Sequence, residues 1–331
     1  MWSEQPLENH LKDSLQSLSQ PIGQTLLADY LSARRFVTEE IAGRISAKEP
    51  DITDHSENHL ADVMKRANAL LGDKVRYFDP LELYVFCVSV LFHDVGNLHG
   101  RSEHHKKIAD IYNDCRKQEA RFNAERSAVL AIAGAHTGST KDGSKDTLRE
   151  VRTFSFQGQT IRAQEIAAVL RLADELAEGP HRTSAYVLNH GGYKPSSRIF
   201  HRYASAAEYC VDRDRIALSY TVNMERGASG LEVGNDTSLK EFLLFCYGRI
   251  AKVDEERRYC KHYCDLLLRL KETGASFEFW FNGQKVNTDI EPLSLSDLLV
   301  PGEHPRDVIK LNERYEPADL VPKLEAECKG A

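Results

Sequence analysis

The sequence predicts an α+β protein, mainly α: a helical unit over residues 1–185, followed by a smaller unit over 186–331 of antiparallel strands covered by helices. Up to about Gly179 apolar residues recur at the helical period, with Gly, Pro, Asn and Asp as punctuation. Beyond Gly179-Pro180 the period shortens to that of a strand. A chain of 331 residues, 41% hydrophobic, can bury a core of that size.

Residues 1–50 belong with the helical unit. Asp54 to Glu57 has the form of a capping box opening a helix through Leu71, with Leu60, Val63, Met64, Ala67, Leu70 and Leu71 on its apolar side. Asp79-Pro80 supplies an N-cap and a first-turn proline for a strongly apolar helix that ends at His93-Asp94. Ser102 can cap a third helix carrying His104, Ile108, Ile111 and Cys115, and Asn123 a fourth carrying Val129, Ile132 and His136. A fifth, Gln164 to Ala177, sets Ile166, Leu170 and Asp174 one turn apart on a shared face. Strand signals are nearly absent here, which predicts an all-α unit. In the second unit Ile216, Leu218, Tyr220 and Val222 alternate with polar or small residues, and Phe277, Phe279 and Phe281 alternate before the hairpin signal Asn282-Gly283. Between them Ser238 to Lys271 is helical in pattern, with a break expected near Gly248. The last forty residues hold five of the eleven prolines, so the tail is expected to dock rather than form its own core.

The net charge of −7 gives no general attraction to polyanions and leaves small anionic substrates open. Seven cysteines without CxxC pairs predict reduced thiols and a cytoplasmic protein. The N-terminus lacks the basic and apolar regions of a secretion signal. No segment approaches the roughly 20 apolar residues of a bilayer span, so no membrane is expected. Cys260 and Cys264 have helical spacing but no further ligands nearby, which argues against zinc there.

Seven of the thirteen histidines lie between His55 and His136, around the His93-Asp94 doublet. An imidazole and a carboxylate at the inner end of a buried helix need a partner, and a divalent metal suits both. A polar C-terminal turn favoured by the helix dipole is the plainer alternative. Asp174, aligned with an apolar stripe, needs a cation or good donors, either a metal or a base such as Arg171 or Arg182. His59 borders the apolar side of its helix, and His55, one turn away, can take its place.

The joint pattern resembles the HD superfamily of metal-dependent phosphohydrolases. Its signature is a helical histidine, a His-Asp pair ending a hydrophobic helix and a distant aspartate, matched by His59, His93-Asp94 and Asp174. The runs Thr53 to His59, Leu91 to Asn97 and Leu170 to Leu176 are similar to that family, and the resemblance covers about residues 50 to 185. It implies that 1–185 holds the catalytic domain, with His93, Asp94 and Asp174 as the catalytic group, and one or two divalent ions among Mn, Fe, Ni, Co, Mg and Zn. Many members hold two metals through extra histidines. Here His104 or His105, together with His136, would join Asp94 as ligands of a second ion. The implied chemistry is hydrolysis by a metal-activated water, with charge on phosphorus offset by the ions. Arg171 and Arg182, which flank Asp174, and Arg101, Lys106 and Lys141 are the cations available for phosphate oxygens.

After His136 there is no Gly-Tyr-Pro motif, and after Asp94 no Gly-His-Pro-Pro-Phe-Gly-His run, which excludes assignment to the cyclic-dinucleotide phosphodiesterases or deoxynucleotide triphosphohydrolases of the superfamily. The expectation is a metal-dependent phosphohydrolase or phosphodiesterase for a nucleotide or short oligonucleotide. The alternatives are a single-strand nuclease, since CRISPR-associated HD nucleases share the extra histidines, and a non-catalytic nucleotide sensor. Residues 186–331 would close over the metals, or serve a homo-oligomer or a protein partner.

Overall fold

A computed structural model describes residues 2–100, 104–298 and 307–329. The fold is α+β and mainly α, in two units: 1–177 with 259–268, and 178–258 with 269–331. By contacts the changeover falls at Ala177/Glu178, where a helix ends, and the short segment 259–268 returns to the first unit.

The first unit contains α1 (Pro6–Leu15), α2 (Gln20–Phe36) continued by a π-helical stretch Val37–Ala42, α3 (Gly43–Lys48), α4 (Glu57–Leu71), α5 (Pro80–Phe92), α6 (His104–Cys115) and α7 (Asn123–Gly134). A hairpin of β1 (Phe154–Phe156) and β2 (Gln159–Ile161) precedes α8 (Ala163–Leu176). Helix α5 is central because it is apolar all round: every residue from Leu81 to Phe92 is buried, and it touches α1, α2, α4, α7 and α8. Each fully buried Leu, Val or Phe there contributes about 1.5–3 kcal/mol. Pro80–His99 is the one described stretch long and apolar enough to cross a bilayer, and it is buried within this unit.

The start of α5 forms as its sequence predicts. Asp79 accepts from the Leu81 amide at 2.9 Å, and Glu82 reaches back to the Asp79 amide at 3.0 Å. Glu82 also accepts from the Arg162 amide at 2.9 Å and from its guanidinium at 2.7 Å, which fixes the start of α8 beside the start of α5. Two helices of 13 and 14 residues leaving a common origin carry their far ends to the same level, about 20 Å on. Those ends hold His93-Asp94 and Asp174.

Several local expectations are corrected. Asp54 does not cap α4. It accepts from the amide and hydroxyl of Ser56 at 3.0 and 2.6 Å, and Ser56 is the cap, accepting from the Asn58 amide at 3.2 Å. Asn123 lies inside α7 rather than capping it, because a 3-10 turn, Ala120–Phe122, leads the chain directly into the helix. The expected cap Ser102 lies outside the described residues. The first unit is not all-α: at the tip of its hairpin Gln157 and Gly158 both have positive φ, of 50° and 80°, a turn that a Gln-Gly pair signals poorly.

The second unit contains α9 (Ala185–Asn189), α10 (Pro195–Ala206), β3 (Ala207–Asp212), β4 (Arg215–Gly227), β5 (Gly230–Glu232), most of α11 (Leu239–Tyr263), β6 (Glu272–Phe281), β7 (Gln284–Val286), β8 (Leu293–Ser296), α12 (Val308–Leu311) and α13 (Pro317–Glu327). The sheet runs β3-β4-β6-β7, with β5 on β4 and β8 on β6. It is mixed, not antiparallel. The long central strands pair parallel from Arg215 with Glu272 to Met224 with Phe281, because a helical crossover rather than a hairpin joins them. That crossover, α11, passes Gly248 without a break. The C-terminal tail docks on this unit: the Tyr315 carbonyl accepts from Tyr247 Oη at 2.9 Å, and its ring lies 5.8 Å from that of Phe277.

Candidate metal centre

Two donor sets meet at Asp94. The first is His59 of α4, His93 and Asp94 at the end of α5, and Asp174 of α8; the second is Asp94, His104 of α6 and His136 just beyond α7. One carboxylate oxygen serves each set. Asp94 Oδ2 lies 3.4 Å from Nε2 of both His59 and His93, whereas Oδ1 lies 3.4 Å from His104 Nε2 and 3.5 Å from His136 Nε2. Asp174 Oδ1 closes the first set at 3.2 Å from His59 Nε2 and 3.5 Å from His93 Nε2. His104 and His136 face each other Nε2 to Nε2 at 3.4 Å.

These separations suit ligands of an ion better than a hydrogen-bonded cluster. Nitrogen and oxygen donors held about 2.0–2.2 Å from one cation sit roughly 3 to 3.5 Å from each other. Both ring nitrogens of His59, and Nε2 of His93, are buried and make no hydrogen bond, a costly arrangement for polar atoms with no further partner. A divalent ion would satisfy them. Imidazoles with carboxylates suit transition metals better than calcium.

The backbone presets the donors. His93 Nδ1 donates to the Val90 carbonyl at 2.8 Å, and His136 Nδ1 to the Ala133 carbonyl at 2.5 Å. A carbonyl can only accept, so each Nδ1 carries a proton and Nε2 is the ring nitrogen turned inward as the candidate ligand atom. His55 repeats the device through Thr53, and its Nε2 lies 3.6 Å from Asp94 Oδ2. It thus borders the first set beside His59, which α4 places inside. Gly96 contributes by having no side chain: a Cβ there would stand 1.9 Å from the carbonyl oxygen of His104, so the approach that brings His104 to Asp94 requires glycine.

Electrostatics follow the geometry. Burial disfavours a charged His93, but Asp94 and Asp174 outweigh it and raise its pKa well above the ordinary value. Burial likewise opposes ionisation of the two carboxylates, yet the His93 charge and the surrounding imidazoles hold Asp94 well below the usual range. Contacts with His59 and His93 do the same for Asp174.

Of the cations expected near phosphate, Arg171 is engaged by protein groups beside the second donor set. It donates to Thr147 Oγ1 at 2.9 Å and to the Ala135 carbonyl at 3.4 Å, and stands 4.8 Å over the Tyr259 ring. Arg182 is a buried residue of the second unit, 4.0 Å from Glu178. Lys141 and Lys106 are exposed. Arg101 lies outside the described residues, as does the His105 side chain. Sequence reasoning did not find the carbonyls of Thr53, Val90 and Ala133, although a histidine three residues beyond a helical carbonyl signals two of them. It also missed Thr147 and Tyr259, which have no local signature.

The family model HD-CE, an HD-containing domain, matches residues 49–230, more than half of the chain and every member of both donor sets. No curated protein and no solved structure matches the chain.

Proposed function

This chain belongs to the HD-CE family, and from that premise and its paired donor sets we propose that it is a metal-dependent phosphohydrolase or phosphodiesterase acting on a nucleotide or short oligonucleotide. The observation that carries the reading is the division of Asp94 between the sets, Oδ2 toward His59 and His93, Oδ1 toward His104 and His136. Divalent ions bound there would acidify a water and offset charge developing on phosphoryl oxygens.

The chain's own residues prepare that chemistry. The Val90 and Ala133 carbonyls hold the Nδ1 protons of His93 and His136, so both rings offer Nε2 without reorientation. Asp94 and Asp174, held well below the usual carboxylate range, stay ionised at neutral pH. Full burial of His59 and His93 lowers the local dielectric and strengthens each charge interaction around them. Arg171 is engaged with Thr147 and Ala135 and is not assigned to phosphate; Lys141, exposed on the loop after His136, and Arg101 are the cations we assign to it. Seven free cysteines fit a reducing cytoplasm. The second unit would select the substrate or bind a partner.

Elemental analysis of the purified protein, followed by a panel of divalent metals against mononucleotides, cyclic and linear dinucleotides and single-stranded oligonucleotides, tests the reading. Two ions per chain and turnover abolished in Asp94→Ala are expected. A folded sample that binds no divalent ion sinks the reading. Activity only on long single strands, with binding that falls steeply with salt, would mark a nuclease instead. Nucleotide binding without turnover by the wild type would mark a sensor.

A further inference from the structure

We propose that Thr147 and Tyr259 are positioning residues for His136, and through it for the second donor set. The inference rests on the reading that Asp94, His104 and His136 hold an ion, and goes beyond it by assigning what keeps that set assembled.

The two sets are secured differently. His59 and Asp174 sit within α4 and α8, and His93 ends the central helix, so helix packing fixes the first set. His136 lies past the end of α7 at Gly134, one residue beyond the Ala135 amide that bonds back to the Ile132 carbonyl at 3.2 Å, so the carbonyls of this last turn need partners from outside the helix. Its neighbour's carbonyl, Ala135 O, accepts from Thr147 Oγ1 at 2.6 Å, and Arg171 supports both Thr147 and that carbonyl. Thr147 is anchored from both sides. The Leu148 amide donates to Tyr259 Oη at 2.9 Å, while Tyr259 and Tyr263 both donate to Asp146 Oδ1, at 2.9 and 2.7 Å. Burial pushes the Tyr259 phenol up to about 12, so it keeps its proton for Asp146 at neutral pH. The Tyr259 ring also lies under the Arg171 guanidinium. The chain of contacts thus runs from the last turns of α11 through residues 146–148 to the backbone on which His136 stands.

Such a clamp affects the second ion selectively. Tyr259→Phe keeps the ring under Arg171 and removes the hydroxyl shared with Leu148 and Asp146. Thr147→Val keeps shape and removes the bond to Ala135, whereas Thr147→Ser retains it. Each metal-stripped protein is titrated with Co²⁺, read by calorimetry and by the visible absorption of the bound ion, with melting of the metal-free proteins as the folding control. Wild type is expected to take two ions. In Tyr259→Phe and Thr147→Val the second should bind about 10- to 100-fold more weakly, as for other residues that orient ligands, with the first unchanged. Thr147→Ser should restore it. The proposal is overturned if both ions bind the folded variants with wild-type affinity, if both weaken equally, or if Ser is as damaging as Val. Should one variant fail to fold, the remaining one decides by the same criteria. A wild type that binds fewer than two Co²⁺ ions overturns the two-ion reading itself, and this proposal with it.

Discussion

Gly96→Ala should damage the second donor set while leaving the first in place. An alanine Cβ at this position would lie 1.9 Å from the carbonyl oxygen of His104, 2.7 Å from its carbonyl carbon and 3.1 Å from its Cα. Backbone rather than a flexible side-chain tip is in the way, so the start of α6 must retreat by about 1.5 Å before ordinary contact is restored. Overpacking of this kind costs about 1–3 kcal/mol. A displacement of about 1 Å in a reacting constellation costs on the order of 100-fold in rate. His104 Nε2 stands 3.4 Å from Asp94 Oδ1 and moves with its backbone, whereas His59, His93 and Asp174 belong to other helices. The assay is Co²⁺ stoichiometry and affinity, turnover in the metal and substrate panel, and thermal melting, with Gly134→Ala as the control because a Cβ there meets nothing within 4 Å. A Gly96→Ala protein with unchanged melting, two ions at wild-type affinity and full activity would refute the steric reasoning.

Three further outcomes are expected. Glu125 is 1% exposed and accepts from Tyr84 and Tyr112 at 2.7 Å and from Arg116 Nε at 3.0 Å. Glu125→Ala leaves the Arg116 charge buried without its partner and should destabilise the protein by about 3–5 kcal/mol, measured by urea unfolding. Gly248 lies within α11 with nothing within 4 Å of an added Cβ. Gly248→Ala should therefore stabilise by roughly 0.5–1 kcal/mol, and a destabilised variant would contradict the unbroken helix. Metal uptake should strengthen as pH rises. The His93 pKa is raised well above about 6.5, so in the metal-free protein the ring is protonated at pH 7 and must release that proton to act as a ligand. Asp94 and Asp174, with lowered pKa values, are already ionised and release none. The same shift makes the His93 ion pairs stabilise the metal-free fold fully below pH 6.5 and progressively less as pH climbs through the raised value. Calorimetric titration in buffers of differing ionisation enthalpy measures the protons released, and a pH-independent affinity would contradict the assignment.

What the sequence determined alone is what near neighbours decide. Asp79, Pro80 and Glu82 specify the start of α5 within one turn, the apolar run to Phe92 makes it the central helix, and His93-Asp94 is thereby committed to the interior. Asp174 follows Leu170 by one turn and shares its inward face, and the alternation in β4 and the turn at Asn282-Gly283 are equally local signals. Tertiary structure decided the choices among equivalent neighbours and the pairings across long separations. His55 and His59 are one turn apart, and only the packing of α4 against α8 places His59 inside the first set. The parallel pairing of β4 with β6 and the hydrogen bond of Arg171 to Thr147 likewise join residues far apart in the chain. Caps and periodicity act over a few residues and are written in them, whereas convergence at Asp94 depends on how whole helices pack, which no local stretch encodes.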